Sequence, residues 1–372
     1  MRKSHCIIIL TVSLAETLTH FGAIAPDSHH FFDASAFLRE AQTFPTSPVG
    51  IVRPLLPLLT ALLVPTPSSL PVAYAFINFV LYPMSGLLCY KLTKRLTDSE
   101  TLSLISSIML LTSFTMVAYG AAAYYMGAVI FFEFLVAILA LDVDKNKLEA
   151  LWKGLLSGIG TLSGEAVLIY VGFGFLRRTW QYKTTSNGAI YLAASLIIPL
   201  AIPTVLGYSL VDFYVRYNIE YAQTLGLLRP EYWFGIRRLT LLAAGLSILD
   251  VAGLIVGFLA ERDKERLKLF YLMFGLSLIA WLTWVPSERR HVYIFYPAVQ
   301  WMSAIGVYWI ASRLSEKPLL NVLSTKAWIA VLIAANAAFN NILAYAWYLE
   351  GNLRWLGPIP GLSVPFSIPI KP

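Results

Sequence analysis

Two clusters of ionisable residues stand at the edges of apolar runs. The first reads Ala25-Pro26-Asp27-Ser28-His29-His30-Phe31-Phe32-Asp33. Asp27 directly follows an apolar run, which puts it at a membrane rim. A carboxylate there can take a proton from an attacking hydroxyl or orient it. Together with His29 it offers donors for a divalent cation such as Mg or Mn. His29 and His30 are adjacent, so their side chains diverge on a helix or a strand and make no zinc motif. The plain alternative for Asp27 is a helix N-cap. The second cluster reads Pro286-Ser287-Glu288-Arg289-Arg290-His291-Val292-Tyr293 and opens a later apolar run. Two arginines and a histidine at a helix start favour an anion, through free N–H groups, the helix dipole and bidentate guanidinium geometry. The alternative is snorkelling toward lipid headgroups, which is the simpler reading for an isolated cation such as Arg53.

Carboxylates inside apolar runs are functional candidates by default, because burying them in a bilayer is costly. Glu16, Glu133, Glu165 and Asp250 all qualify. For Glu16, Glu133 and Asp250 the simpler reading is a polar contact between helices. Glu165 differs, because it stands where Gly158, Gly160 and Gly164 interrupt the run 148–177, on the same side as Asp27. The short loop 119–127 offers Tyr119, Tyr124 and Tyr125, for which an aromatic belt is the simpler reading. His29, Glu165, Tyr293 and Tyr124 are the candidate substrate contacts.

The elements that must position these residues follow from composition. Of 372 residues, 58% are hydrophobic and only 13% charged, about half the share of soluble domains. Mean hydropathy is +0.67. A soluble globular protein, a disordered chain and a nucleic-acid binder are excluded on that ground. The two cysteines, Cys6 and Cys89, form no disulfide framework or metal spacing. Apolar runs predict helices over 5–25, 71–91, 101–118, 123–141, 188–208, 237–259, 268–286, 291–312 and 327–348. The stretch Arg53 to Val64 is too short to span, at roughly 12 residues against the ~20 required, and belongs at the interface. The first run contains Glu16 and His20 and lacks a small-residue cleavage site, so it reads as a retained helix and not a signal peptide.

The formal charge is +7, and basic loops resist translocation. With the N-terminus inside and 148–177 folded as a hairpin, most lysines and arginines fall on the inner side. A single span there would send the charged run 261–266 outside. The expectation is therefore an all-α polytopic membrane bundle of about eleven spans in a cell membrane. Outer-face juxtamembrane helices would accompany it. Long outer loops are expected at 26–70 and 209–236, the second rich in tyrosine, with an outer tail at 351–372.

In this order the pieces resemble the GT-C family of glycosyltransferases that use polyprenyl-phosphate sugars, such as dolichyl-phosphate-mannose and aminoarabinose transferases. Asp27-Ser28-His29-His30-Phe31 is similar to the family's acidic motif after the first helix. Arg53-Pro54-Leu55-Leu56-Pro57-Leu58 looks like its juxtamembrane stretch. Gly158-Ile159-Gly160-Thr161-Leu162-Ser163-Gly164-Glu165 looks like its Gly-rich helix meeting an acidic turn, without the usual arginine. Arg290-His291-Val292-Tyr293 is similar to its late outer motif. The likeness spans 1–180, a core module, and 285–312 within a variable module, 181–350. Unlike many members, the chain has no acidic residue in loop 119–127 and no large C-terminal extra-membrane domain, which points to transfer of a single sugar. The resemblance implies Asp27 as base or acceptor-orienting group. It also implies Arg289, Arg290, His291 and Arg53 around the lipid phosphate. The implied partners are a polyprenyl-phosphate-linked donor, membrane lipid and a protein, glycan or lipid acceptor, with no obligatory metal. The alternatives from other classes are a non-catalytic lipid-binding subunit and a transporter that uses buried carboxylates.

Overall fold

The computed structural model describes residues 1–19, 55–56, 59–60, 70–120, 126–205, 245–283, 289–318 and 320–355. Among them every regular element is helical and none is a strand. The α-helices are α1 (Lys3–Thr19), α2 (Leu70–Thr97), α3 (Glu100–Leu111), α4 (Met126–Leu141), α5 (Lys147–Thr161), α6 (Leu168–Leu176), α7 (Thr185–Val205), α8 (Ile248–Ala260), α9 (Lys264–Thr283), α10 (Tyr296–Glu316) and α11 (Thr325–Trp355). Short 3-10 turns at Glu165–Val167 and Arg289–Phe295 lead into α6 and α10.

The run 148–177 is two helices, as the hairpin expectation has it. Leu162, Ser163 and Gly164 close the turn, their N–H groups bonding to the carbonyls of Ile159, Gly160 and Thr161. The two arms return to one place, because Lys153 in α5 and Arg178 just past α6 both bind Asp144. Two parts of the expectation need correction. Among the described residues, only Thr185–Ile202 within α7 and Thr325–Ala344 within α11 are long and apolar enough to cross a membrane unaided. Helices α3, α4 and α8 have 12, 16 and 13 residues, short of the ~20 a span needs. Helix α2 instead overruns its apolar run, carrying Lys91, Lys94 and Arg95 in its last turns. The helix expected over 291–312 starts late, because Arg289–Phe295 is wound as a 3-10 turn.

Polar and apolar faces are inverted relative to a water-soluble bundle. Along α1, Ser13 is 2% exposed while its neighbour Leu14 is 48% exposed. Thr17 is buried and Leu10 and Leu18 face outward. The buried hydroxyls of Ser13 and Thr17 bond back to the carbonyls of Ile9 and Ser13, 2.8 and 2.7 Å away, so burial leaves no orphaned donor. Ser195 is buried while Ile197 and Leu200 in the same helix are exposed. In water this arrangement wastes apolar burial worth roughly 25 cal/mol per Å²; in hydrocarbon it costs nothing.

With no hydrophobic drive between helices in such a medium, small residues set the close contacts. Gly154 and Gly158 in α5 lie against the backbone of Tyr191, Ala194 and Ser195 in α7. Gly253 and Gly257 in α8 meet the backbone of Met302, Ser303 and Gly306 in α10. Both pairs have the Gly-x-x-x-Gly spacing that stacks two glycines on one helix face.

Candidate functional site

One end of the bundle collects charge. Arg178 donates from Nε to Oδ2 of Asp144 at 2.6 Å and from Nη2 to Oδ1 at 2.9 Å. Lys153 Nζ reaches the same Oδ1 at 3.0 Å. All three side chains are at most 8% exposed. The Arg178 guanidinium also covers the Tyr191 ring, 4.0 Å from its centroid. Arg95 bonds to Asp142, Arg266 to the Thr97 carbonyl at 3.3 Å, and Arg2 to Glu100 at 2.5 Å. The five cations lie at or beside the ends of α1, α2, α6 and α9 and on α5, and they are among those that the sequence reading assigned to a single side.

The opposite end of the α5–α6 hairpin carries Glu165. That residue opens the turn Glu165–Val167 and is partly exposed, above buried Ala166 and Val167. The N–H of Leu55 donates to the Leu162 carbonyl at 3.2 Å. Leu55 and Leu56, both buried, are thereby brought to the hairpin tip. Tyr170, in the first turn of α6, donates to the Ile294 carbonyl at 2.8 Å. Ser277 of α9 donates to the same carbonyl, also at 2.8 Å. The turn Arg289–Phe295 is therefore clamped against the hairpin from two helices. Phe274 and Trp281 pack on Phe295 at ring separations of 5.2 and 5.9 Å. The turns Glu165–Val167 and Arg289–Phe295 thus both pack on α4, and Leu55 is tied to the hairpin tip beside the first of them.

Of the candidate site residues, Glu165, Arg289, Arg290, His291 and Tyr293 fall within described elements. Arg289 and Arg290 begin the 3-10 turn, seven residues before the first turn of α10 proper. His291 is 5% exposed and Tyr293 1%, their rings edge to face at 6.1 Å. The motif is thus a turn that begins at the two arginines and carries His291 and Tyr293 into the buried interior. Asp27, His29, Arg53 and Tyr124 lie outside the described residues, as do the loop 209–236 and the tail 356–372. Among the described residues, no group of three His, Cys, Asp or Glu side chains is placed to hold a metal ion.

The carboxylates inside apolar runs separate by their partners. Asp250 forms a capping box at the start of α8: its N–H bonds to Ser247 Oγ at 3.0 Å, and its Oδ2 accepts from that hydroxyl at 2.7 Å. Gln300 of α10 donates to the other oxygen at 3.3 Å. Glu16 accepts from Asn341 of α11 at 3.0 and 3.3 Å. Both are polar contacts between elements, as expected. Glu133 is not. It is fully buried, and neither oxygen has a hydrogen-bond partner among the described residues.

Sequence reasoning passed over Tyr170, Ser277 and Asp144. A tyrosine and a serine in otherwise apolar helices were the available signal, and each satisfies its polar atom on a distant carbonyl. No protein-family profile and no curated protein matches this chain.

Proposed function

We propose that the chain is a multi-pass membrane glycosyltransferase that moves a single sugar from a polyprenyl-phosphate donor to an acceptor hydroxyl, on the face opposite the basic end. The observation that carries this reading is that the Glu165 turn and the turn Arg289–Phe295 pack on the same helix, α4, with Leu55 bonded to the hairpin tip and Tyr170 to Ile294. The inverted polarity of α1 and α7 supports membrane embedding. Gathering of the basic residues at the other end supports an inside orientation for it.

In this reading the acceptor oxygen attacks the anomeric carbon from the face opposite the phosphate. The bond from that carbon to the phosphate oxygen breaks, polyprenyl phosphate leaves and the configuration inverts. Asp27 takes the acceptor proton or aligns the hydroxyl. Charge grows on the departing phosphate, so Arg289, Arg290 and His291 stabilise the transition state more than the ground state. Arg53 is a further cation for the same phosphate. Glu165 contacts a sugar hydroxyl, and His29, Tyr293 and Tyr124 complete the candidate substrate contacts. Mg or Mn bound through Asp27 and His29 is compatible with this scheme and not required by it.

The test is transfer from radiolabelled polyprenyl-phosphate sugars to membrane extract, using protein in lipid nanodiscs. Asp27→Asn is expected to abolish labelled product while donor binding persists. Arg290→Gln is expected to weaken donor binding. Wild-type turnover by Asp27→Asn overturns the assignment. Buried Glu133, without a hydrogen-bond partner among the described residues, favours a second reading, a transporter with a protonatable carboxylate. That reading requires Glu133→Gln to abolish proton-coupled uptake into proteoliposomes.

A further inference from the structure

A second cavity lies away from the hairpin tip, between α1, α3 and α11. Its volume is about 640 Å³, within the ~300–1,000 Å³ usual for ligand sites. The three helices run in the same direction. Arg2 meets Glu100 at their starts. Further along, Asn340 donates to the Thr112 carbonyl at 2.8 Å and Asn341 bonds to Glu16. All three N-termini therefore open at the basic end of the bundle.

The cavity is chemically graded along its length. At the basic end its lining includes Arg2, His5 and Lys326. Arg2 is 71% exposed at the side chain and shares its charge with Glu100; Lys326 is exposed. The walls are aliphatic: Ile8 and Val12 from α1, Leu104 and Ile108 from α3, Ile329 and Ile333 from α11. The floor is polar, at Glu16 and Thr112. From Arg2 to Glu16 along α1 is about 21 Å at the helical rise, while the hydrocarbon of one leaflet is roughly 15 Å deep.

We infer that this cavity binds one anionic phospholipid from the leaflet at the basic end, with its phosphate between Arg2 and Lys326 and an acyl chain along the aliphatic walls. Charge complementarity selects the occupant. Two cations, Arg2 and Lys326, face the mouth against one carboxylate, Glu100, which leaves it net positive, and the three helix starts there also favour negative charge. A polyprenyl-phosphate donor held at the hairpin tip would carry its phosphate at the other end of the bundle. This inference rests on the membrane embedding proposed above but not on sugar transfer.

The experiment is native mass spectrometry of the full chain, delipidated in mild detergent and titrated with dioleoyl-phosphatidylglycerol or dioleoyl-phosphatidylcholine. One bound phosphatidylglycerol is expected, preferred over phosphatidylcholine by about fivefold, the value for one net cation near an anionic headgroup. Arg2→Gln combined with Lys326→Gln should bring that preference close to one. Ala334→Phe, at an exposed position that lines the cavity, should remove the bound lipid without altering the helical circular dichroism. Inorganic phosphate at millimolar concentration should not displace the lipid, which separates a phospholipid site from a simple phosphate site. Arg290→Gln should leave phosphatidylglycerol binding unchanged while weakening donor binding, so the two sites fail independently. Equal binding of the two lipids by the wild-type protein overturns the inference. So does full phosphatidylglycerol retention in Ala334→Phe.

Discussion

Asp144→Ala should be among the most damaging single substitutions outside the proposed site. Asp144 neutralises two cations that are themselves buried, with Lys153 and Arg178 side chains 8% and 1% exposed. Removing one partner of a buried ion pair costs about 3–5 kcal/mol, because the remaining charge is left without compensation. Part of that loss is offset here. Arg178 keeps the Gly174 carbonyl at 3.0 Å and the Tyr191 ring, and Lys153 keeps Glu149 at 2.9 Å. The lower end, about 3 kcal/mol, is therefore expected. At roughly 2–4 °C per kcal/mol, the melting temperature should fall by about 6–12 °C. The assay is thermal unfolding of detergent-solubilised protein, followed by tryptophan fluorescence. The control is Asp144→Leu with Lys153→Met and Arg178→Met, which removes every charge of the triad while filling the same space. Replacing a buried ion network by apolar residues is often neutral or stabilising, so the triple variant should melt within a few degrees of wild type. A melting temperature for Asp144→Ala within about 1 °C of wild type refutes the reasoning. So does a triple variant as unstable as the single one, since the cost would then not be electrostatic.

The remaining predictions concern packing and the clamp. Gly257→Ala would drive a methyl group into the Met302 carbonyl. It should destabilise by about 1–3 kcal/mol, the usual cost of overpacking. Gly275→Ala has open space around the new Cβ and should stabilise by up to ~1 kcal/mol, since alanine is the better helix former. The two are compared in parallel melts. Tyr170→Phe removes one of two hydrogen bonds to the Ile294 carbonyl, a loss of about 1 kcal/mol. In the transfer assay it should raise KM for the donor more than it lowers kcat, because it loosens the arginine turn without touching Asp27. Glu133→Gln keeps the shape of the buried side chain and should leave sugar-transfer turnover within about twofold of wild type, or ~0.4 kcal/mol. A total loss of transfer in this variant would instead place Glu133 in the chemistry.

Local features of the sequence determined which segments are helical and where the chain reverses. The glycines before Glu165 interrupt the apolar run in the sequence itself, so the hairpin was legible. The grouping of basic residues was legible too, because it follows from the cost of moving charge across hydrocarbon and not from any contact. The same logic anticipated that Asp250 and Glu16 would pair with other helices. It could not name Gln300 or Asn341, which are selected only once the helices are side by side. Helix length was misjudged wherever hydropathy and backbone disagreed: α2 continues through Lys91 and Arg95, and Arg289–Phe295 winds as a 3-10 turn. That turn owes its position to a tyrosine and a serine far away in sequence, sharing one carbonyl. Tertiary structure alone decided which face of each helix is inside. Nearly every face is apolar, so periodicity carries little information, and the choice falls to glycine spacing and a few hydrogen bonds. The same lack of contrast is why Glu133 reads in the sequence, like Glu16 and Asp250, as a polar contact between helices. Only packing could show that both of its oxygens are buried with no hydrogen-bond partner among the described residues.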